Sequence, residues 1–199
     1  MSKPAYHHGD LRTALLDAGE ALLAERGLEG FTLRELARRV GVSNAAPAHH
    51  FPDVAALLTE LAANGFERLT QAMATAAAPC ADPVARLVAI GRAYVATAIA
   101  RPAIFRLMFH SKRVHLASPR LLAASAEAYG ALRGALAALP AATPRAYADT
   151  ALAWCVVHGF AVLCIEGGLQ HDPAFGAPED WSTPLEAVLQ RMVRGLGAG

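Results

Sequence analysis

Two groups of residues carry the chemistry available to this chain, and both are suited to binding rather than to bond-making. The first is polar and basic and lies between Thr32 and His50. It comprises Thr32, Arg34, Arg38, Arg39, Ser43, Asn44, Ala45, Ala46, His49 and His50. Guanidinium, hydroxyl, amide and imidazole groups donate to phosphate oxygens and base edges, and alanine methyls meet thymine methyls. The second group is bulky and mostly neutral: Tyr94, Phe105, Met108, Phe109, Tyr129, Trp154 and His158. Side chains of this kind line sites for small, mainly apolar molecules, with His158 suited either to orient a polar group or to hydrogen-bond a neighbouring helix. The plainer role for each of them is a place in the core.

Catalysis is not expected. The chain has no nucleophile elbow, phosphate loop or paired metal motif. Cys80, Cys155 and Cys164 are odd in number and lack CxxC or Cys/His spacing, so they read as reduced thiols of a cytoplasmic protein. His158 and Glu166 stand about two helical turns apart, too far to share a metal ion from one helix. Neither a cofactor nor a metal is expected.

The elements that position these groups read as helices throughout. Hydrophobic residues make up 54% of the chain, alanine is heavily used, and no segment alternates as a strand would. With only 18% charged residues, either the interior is large or part of the surface lies against a partner. The net charge of +1 says nothing about nucleic acid. The N-terminal MSKPAYHHGDLR lacks the apolar stretch of a signal peptide. The longest apolar run, Ala151 to Ile165, is interrupted by His158 and reads as a buried core helix rather than a membrane span.

Leu11, Leu15, Ala18 and Leu22 recur at helical spacing and predict an amphipathic helix from Asp10 to Arg26, ended by Gly27 and Gly30. Thr32 and Glu35 form a capping-box pattern for a short helix that stops at Gly41. Ser43 is placed to cap a third helix ending before Phe51, and Asp53 a long one reaching Ala77. Asp82-Pro83, Ser118-Pro119, Thr143-Pro144 and Thr183-Pro184 each put proline at a first helical position, and Arg101-Pro102 opens a short helix. The expected architecture is all-α with about nine helices. Gln170 to Ser182 reads as a loop, and the arm Ser2 to His8 as a tail, with minor-groove contact as its alternative.

The segment from Thr32 to Phe51 has the spacing of a helix-turn-helix. Ala37 is small where the helices cross, and Gly41 tolerates the positive φ of the turn. Leu33, Leu36, Val40, Val42 and Pro47 are spaced to face inward, leaving Asn44, Ala45, Ala46, His49 and His50 outside. An amphipathic helix, TLRELARRVGVS, an HHF ending and a long helix together closely resemble the N-terminal domain of the TetR family of transcriptional regulators. Trp154, His158 and Gly159 resemble the Trp-His-Gly signature of one subgroup.

That resemblance implies a helix-turn-helix domain over residues 1–53 and a ligand-binding and dimerisation domain over 54–199. It implies operator contacts from Thr32 and from Ser43 through His50, and a homodimer built by the last two helices. Leu152, Val156, Gly159 and Leu163 on one, with Leu185, Val188, Leu189 and Met192 on the other, fit that interface. The expected function is a regulator, most often a repressor, released from double-stranded operator DNA by a small apolar ligand. Two residues depart from the family: Ala48 stands where a tyrosine is usual, and Val54 where a basic residue is usual. Residues 1–60 carry six Lys and Arg against eight Asp and Glu, a poor balance for neutralising phosphate. The alternative is therefore a helical ligand-binding dimer whose head binds DNA weakly or not at all.

Overall fold

Asp53 illustrates how the sequence punctuates its helices. Its carboxylate accepts the N–H of Ala56 at 2.7 Å, satisfying one of the orphan donors that open a long helix. The computed structural model describes residues 8–139, 146–169 and 180–196. Among them are eight α-helices and one short 3-10 turn: α1 (His8–Arg26), α2 (Leu33–Val40), the turn Ala46–His49, α3 (Val54–Ala77), α4 (Pro83–Ala100), α5 (Pro102–His110), α6 (Pro119–Ala137), α7 (Ala146–Ile165) and α8 (Ser182–Leu196). The fold is all-α, as expected. Residues 2–7 of the N-terminal arm, the Thr143-Pro144 opening and most of the Gln170–Ser182 loop lie outside the described residues.

The chain forms two compact units, residues 1–65 with 101–124 and residues 66–100 with 125–199. In the first, α1 packs on α2 and α5. Leu15, Leu22, Leu36, Ala37, Leu57, Leu58 and Leu107 are fully buried there, with Phe31 and Phe51 closing the ends. Each such side chain contributes about 1.5–3 kcal/mol by leaving water. Ion pairs tie the same helices: Glu60 of α3 takes Arg12 of α1 and, at 2.7 Å, Arg120 of α6. Arg120 also donates to Asn64 Oδ1 at 2.6 Å.

In the second unit α4, α7 and α8 pack on one another. The buried side of α7 is Thr150, Ala153, Val157, Phe160 and Ala161. This stripe is rotated from the one containing Tyr147 and Trp154, which the apolar pattern alone does not distinguish; Tyr147 is 84% exposed. The segments Pro83–Ala100 and Tyr147–Ile165 are long and apolar enough to cross a membrane by length and composition. Here they pack on each other as core helices, and α7 extends beyond the apolar run read from the sequence.

Two local expectations are corrected. The third helix does not start at Ser43. Ala46 N–H bonds Ser43 O at 3.0 Å and Ala48 N–H bonds Ala45 O at 3.2 Å, the three-residue steps of a 3-10 turn. Pro47 is the cause: an α-helix capped by Ser43 would need an N–H at residue 47 for the Ser43 carbonyl, and the proline ring would clash with that carbonyl. The opening of α8 also differs. Asp180, not Thr183, caps it, accepting the N–H groups of Ser182 (3.1 Å) and Thr183 (3.3 Å) and both hydroxyls. A carboxylate accepts more strongly than a hydroxyl, and these bonds, Ser182 first, lower its pKa.

Candidate nucleic-acid interface and ligand site

The helix-turn-helix is built as the spacing requires. Thr32 sits extended (φ −138°, ψ 148°) and its Oγ1 accepts the N–H of Glu35 at 3.2 Å. Gly41 closes α2 at φ 76°, ψ 30°, where a side chain would be strained. The carbonyl of Ala37 accepts both Gly41 and Val42 at 3.0 Å, which turns the chain sharply toward the Ala46–His49 turn. Ala37 is itself fully buried at the crossing. Pro47 is buried, while Ser43, Asn44, Ala45, Ala48 and His49 are exposed and Ala46 and His50 half-buried. Thr32 and Arg34 are exposed as well.

The charge around this surface is mostly engaged within the protein. Arg38 holds Glu35 through two bonds, from Nε at 2.9 Å and Nη2 at 2.8 Å. Arg39 holds Glu25, with Nη1 at 2.9 Å, and lies 3.6 Å from Glu35; Arg26 also reaches Glu35 at 3.6 Å. These guanidiniums, Arg38 foremost, lower the pKa of Glu35 to about 2. The Glu35 carboxylate is therefore turned to arginines rather than back to Thr32. Arg34 pairs with no described residue, which makes it the available cation of α2.

The residues expected at a ligand site fall into two groups. Tyr94, Tyr129, Trp154 and His158 come together in the second unit from α4, α6 and α7. Tyr94 Oη lies 2.8 Å from His158 Nδ1. Trp154 stands edge-on to His158 with centroids 6.0 Å apart, and Tyr129 edge-on to Trp154 at 6.0 Å. Burial pushes the Tyr94 phenol pKa well up, and a bond from the Trp154 indole opposes this in part. The phenol stays protonated. Which of Tyr94 Oη and His158 Nδ1 donates is set by the tautomer of the imidazole. Phe105, Met108 and Phe109 belong instead to the first unit. There the Phe105 and Phe109 rings lie 4.9 Å apart, and Met108 abuts Gly65 so closely that a Cβ would meet its Sδ at 2.6 Å. Phe105 is a core residue.

The interface residues divide as well. Leu152 and Leu163 of α7 are each 46% exposed, Val156 and Gly159 are half-buried, and a Cβ on Gly159 would meet open space. Leu185, Leu189 and Met192 of α8 are buried within the unit; Leu189 abuts Gly91 of α4, where a Cβ would meet its Cδ2 at 2.8 Å. Val188 is half-buried. Arg133, whose guanidinium lies over the Tyr129 ring 5.5 Å from its centroid, was not among the expected site residues. Its position one helical turn after Tyr129 was the available signal.

An all-helical chain with a helix-turn-helix followed by a larger helical unit defines a class, the one-component DNA-binding regulators. Residues 15–61 match the family described as bacterial regulatory proteins, tetR family, and residues 87–196 match the tetracyclin repressor-like C-terminal domain. The chain belongs to the tetR family. A protein with unknown function from Rhodococcus sp. RHA1 is 32% identical, with a TM-score of 0.80 over 98% of this chain and 97% of that one. A TetR family transcription regulator from Marinobacter aquaeolei VT8 shares the fold at 17% identity, with a TM-score of 0.64 over 91% and 92% of the two chains. Another from Thermus thermophilus does so at 19% identity, with a TM-score of 0.61 over 90% and 97%. No curated protein sequence matches the chain.

Proposed function

We propose that the protein is a homodimeric repressor that leaves its operator when a small, mainly apolar ligand binds in the second unit. The observation that carries this reading is the part-buried Tyr94–His158 hydrogen bond set among Trp154 and Tyr129. A polar pair held inside an aromatic surround is the arrangement that fixes the orientation of a small molecule. In the dimer, residues 1–53 present Thr32, Arg34, Ser43, Asn44, Ala45, Ala46, His49 and His50 to successive major grooves about 34–36 Å apart. The exposed side of α7, with Leu152, Val156, Gly159 and Leu163, together with the Val188 side of α8, forms the contact between subunits. Ligand binding favours a head spacing unsuited to the operator, a coupling of about 1–3 kcal/mol.

Selection of bound fragments from the source genome with purified dimer, at low and physiological salt, tests the DNA half of this proposal. One palindromic site surviving physiological salt is expected. Its release by a molecule whose response is lost in Trp154→Ala, with unliganded DNA binding retained, is expected for the ligand half.

A second reading is favoured by a specific observation. Pro47 shortens the recognition element to a 3-10 turn, and Arg38 and Arg39 are engaged with Glu35 and Glu25. A head so built has few groups left for phosphate. Recovery of only diffuse, salt-labile fragments would make the protein a ligand-binding dimer with a degenerate head.

A further inference from the structure

Five side chains form a row in which charge gives way to burial. Arg133 is exposed and lies over Tyr129, which is half-buried. Tyr129 meets Trp154, 40% exposed, with rings inclined at 72°. Trp154 meets His158 at 67°, and His158 holds Tyr94, which is 6% exposed. The outer end of the row is therefore a cation, its middle two steeply inclined aromatic faces, and its inner end a hydrogen-bonded phenol–imidazole pair. Two rings at a steep angle make a corner that receives a third, stacked on one and edge-on to the other.

Arg133 gives this corner a charge preference. A guanidinium held over a ring by cation–π attraction keeps N–H donors for a further acceptor. No carboxylate pairs with Arg133 among the described residues. A guanidinium so held matches the two oxygens of a carboxylate.

We propose that the ligand of the second unit is a planar aromatic anion, with its ring in the Tyr129–Trp154 corner and its carboxylate on Arg133. The inference rests on the reading of this cluster as the ligand site, and adds the charge that the neutral residues alone do not specify.

The test uses two probes of nearly equal shape, 2-naphthoate and its neutral counterpart 2-naphthamide. Binding to the full-length dimer is measured by calorimetry, with wild type, Arg133→Gln and Trp154→Leu. Wild type should prefer the carboxylate about fivefold, the scale of a partly exposed ion pair. Arg133→Gln should erase that preference by weakening naphthoate more than naphthamide, and Trp154→Leu should weaken both probes. Equal affinity of wild type for the two probes, or a preference that survives Arg133→Gln, overturns the anion proposal and leaves the ligand-site reading standing. Binding of both probes unaffected by Trp154→Leu overturns the placement, and binding of neither overturns the proposal and the ligand-site reading together.

Discussion

The phenol oxygen of Tyr94 on α4 stands 2.8 Å from Nδ1 of His158 on α7, joining two core helices of the second unit through one hydrogen bond. Tyr94 is almost wholly buried, so its hydroxyl depends on protein partners. Tyr94→Phe keeps the ring and removes the hydroxyl that pairs with Nδ1. The cost of the unsatisfied partner is about 1–3 kcal/mol, read as a lowered urea midpoint at unchanged slope. A double-mutant cycle with His158→Ala should show coupling between the two losses; strict additivity would mean the bond does not join the helices energetically.

Glu60 draws Arg12 and Arg120 to one carboxylate, so three helices of the first unit meet on a single charge. Its side chain is 19% exposed, and water screens the cluster only in part. Glu60→Gln is expected to destabilise by about 1–1.5 kcal/mol, between an exposed ion pair and a hydrogen bond to a buried charge, because both arginines are partly exposed. Arg34→Gln is the contrast. Arg34 has no partner among the described residues, so its loss should change stability by less than about 0.5 kcal/mol while weakening DNA retention and flattening its salt dependence.

Much of this was legible in the sequence because the signals are local. Asp53 and Asp82 cap where their spacing says, and Thr32 and Gly41 bound α2, while Glu35 departs from its capping-box pattern to pair with Arg38. What was missed falls into two kinds. Pro47 was in plain view four residues after Ser43, yet the family pattern suggested a full recognition helix there. Asp180 likewise sat two residues before Ser182. The other kind needs distant contacts. Nothing local joins Arg39 to Glu25, sends Phe105 to a different unit from Tyr94, or turns Leu185 and Leu189 inward toward the core. An apolar stripe states that a face is buried without naming what buries it.

Glu35 supplies a pH prediction. Its folded pKa of about 2 lies below the ordinary value of 4.5, so the unfolded chain takes up the proton first. The stabilisation is present in full above about pH 4.5 and is lost as pH falls toward 2. The difference in urea midpoint between wild type and Glu35→Gln should be constant from pH 7 to 5 and shrink below it. A difference that stays level down to the acid transition would mean that the Arg38 and Arg39 contacts do not favour the ionised form.

Pro47 offers the most direct test of how the head reads DNA. The residue is buried, so Pro47→Leu replaces it with a side chain of similar bulk and restores the N–H that an α-helix from Ser43 requires. The interior-proline penalty of about 3 kcal/mol on that helix is then removed. Helical content should rise by roughly a turn, and Asn44, Ala45 and His49 should then project from an α-helix rather than from the short turn. If recognition depends on that helix, affinity for the selected operator should rise about three- to tenfold, with sequence preference retained. A fall in affinity with the fold intact would mean instead that the 3-10 turn is the working recognition element, and that Pro47 sets the spacing of the groups that meet the bases.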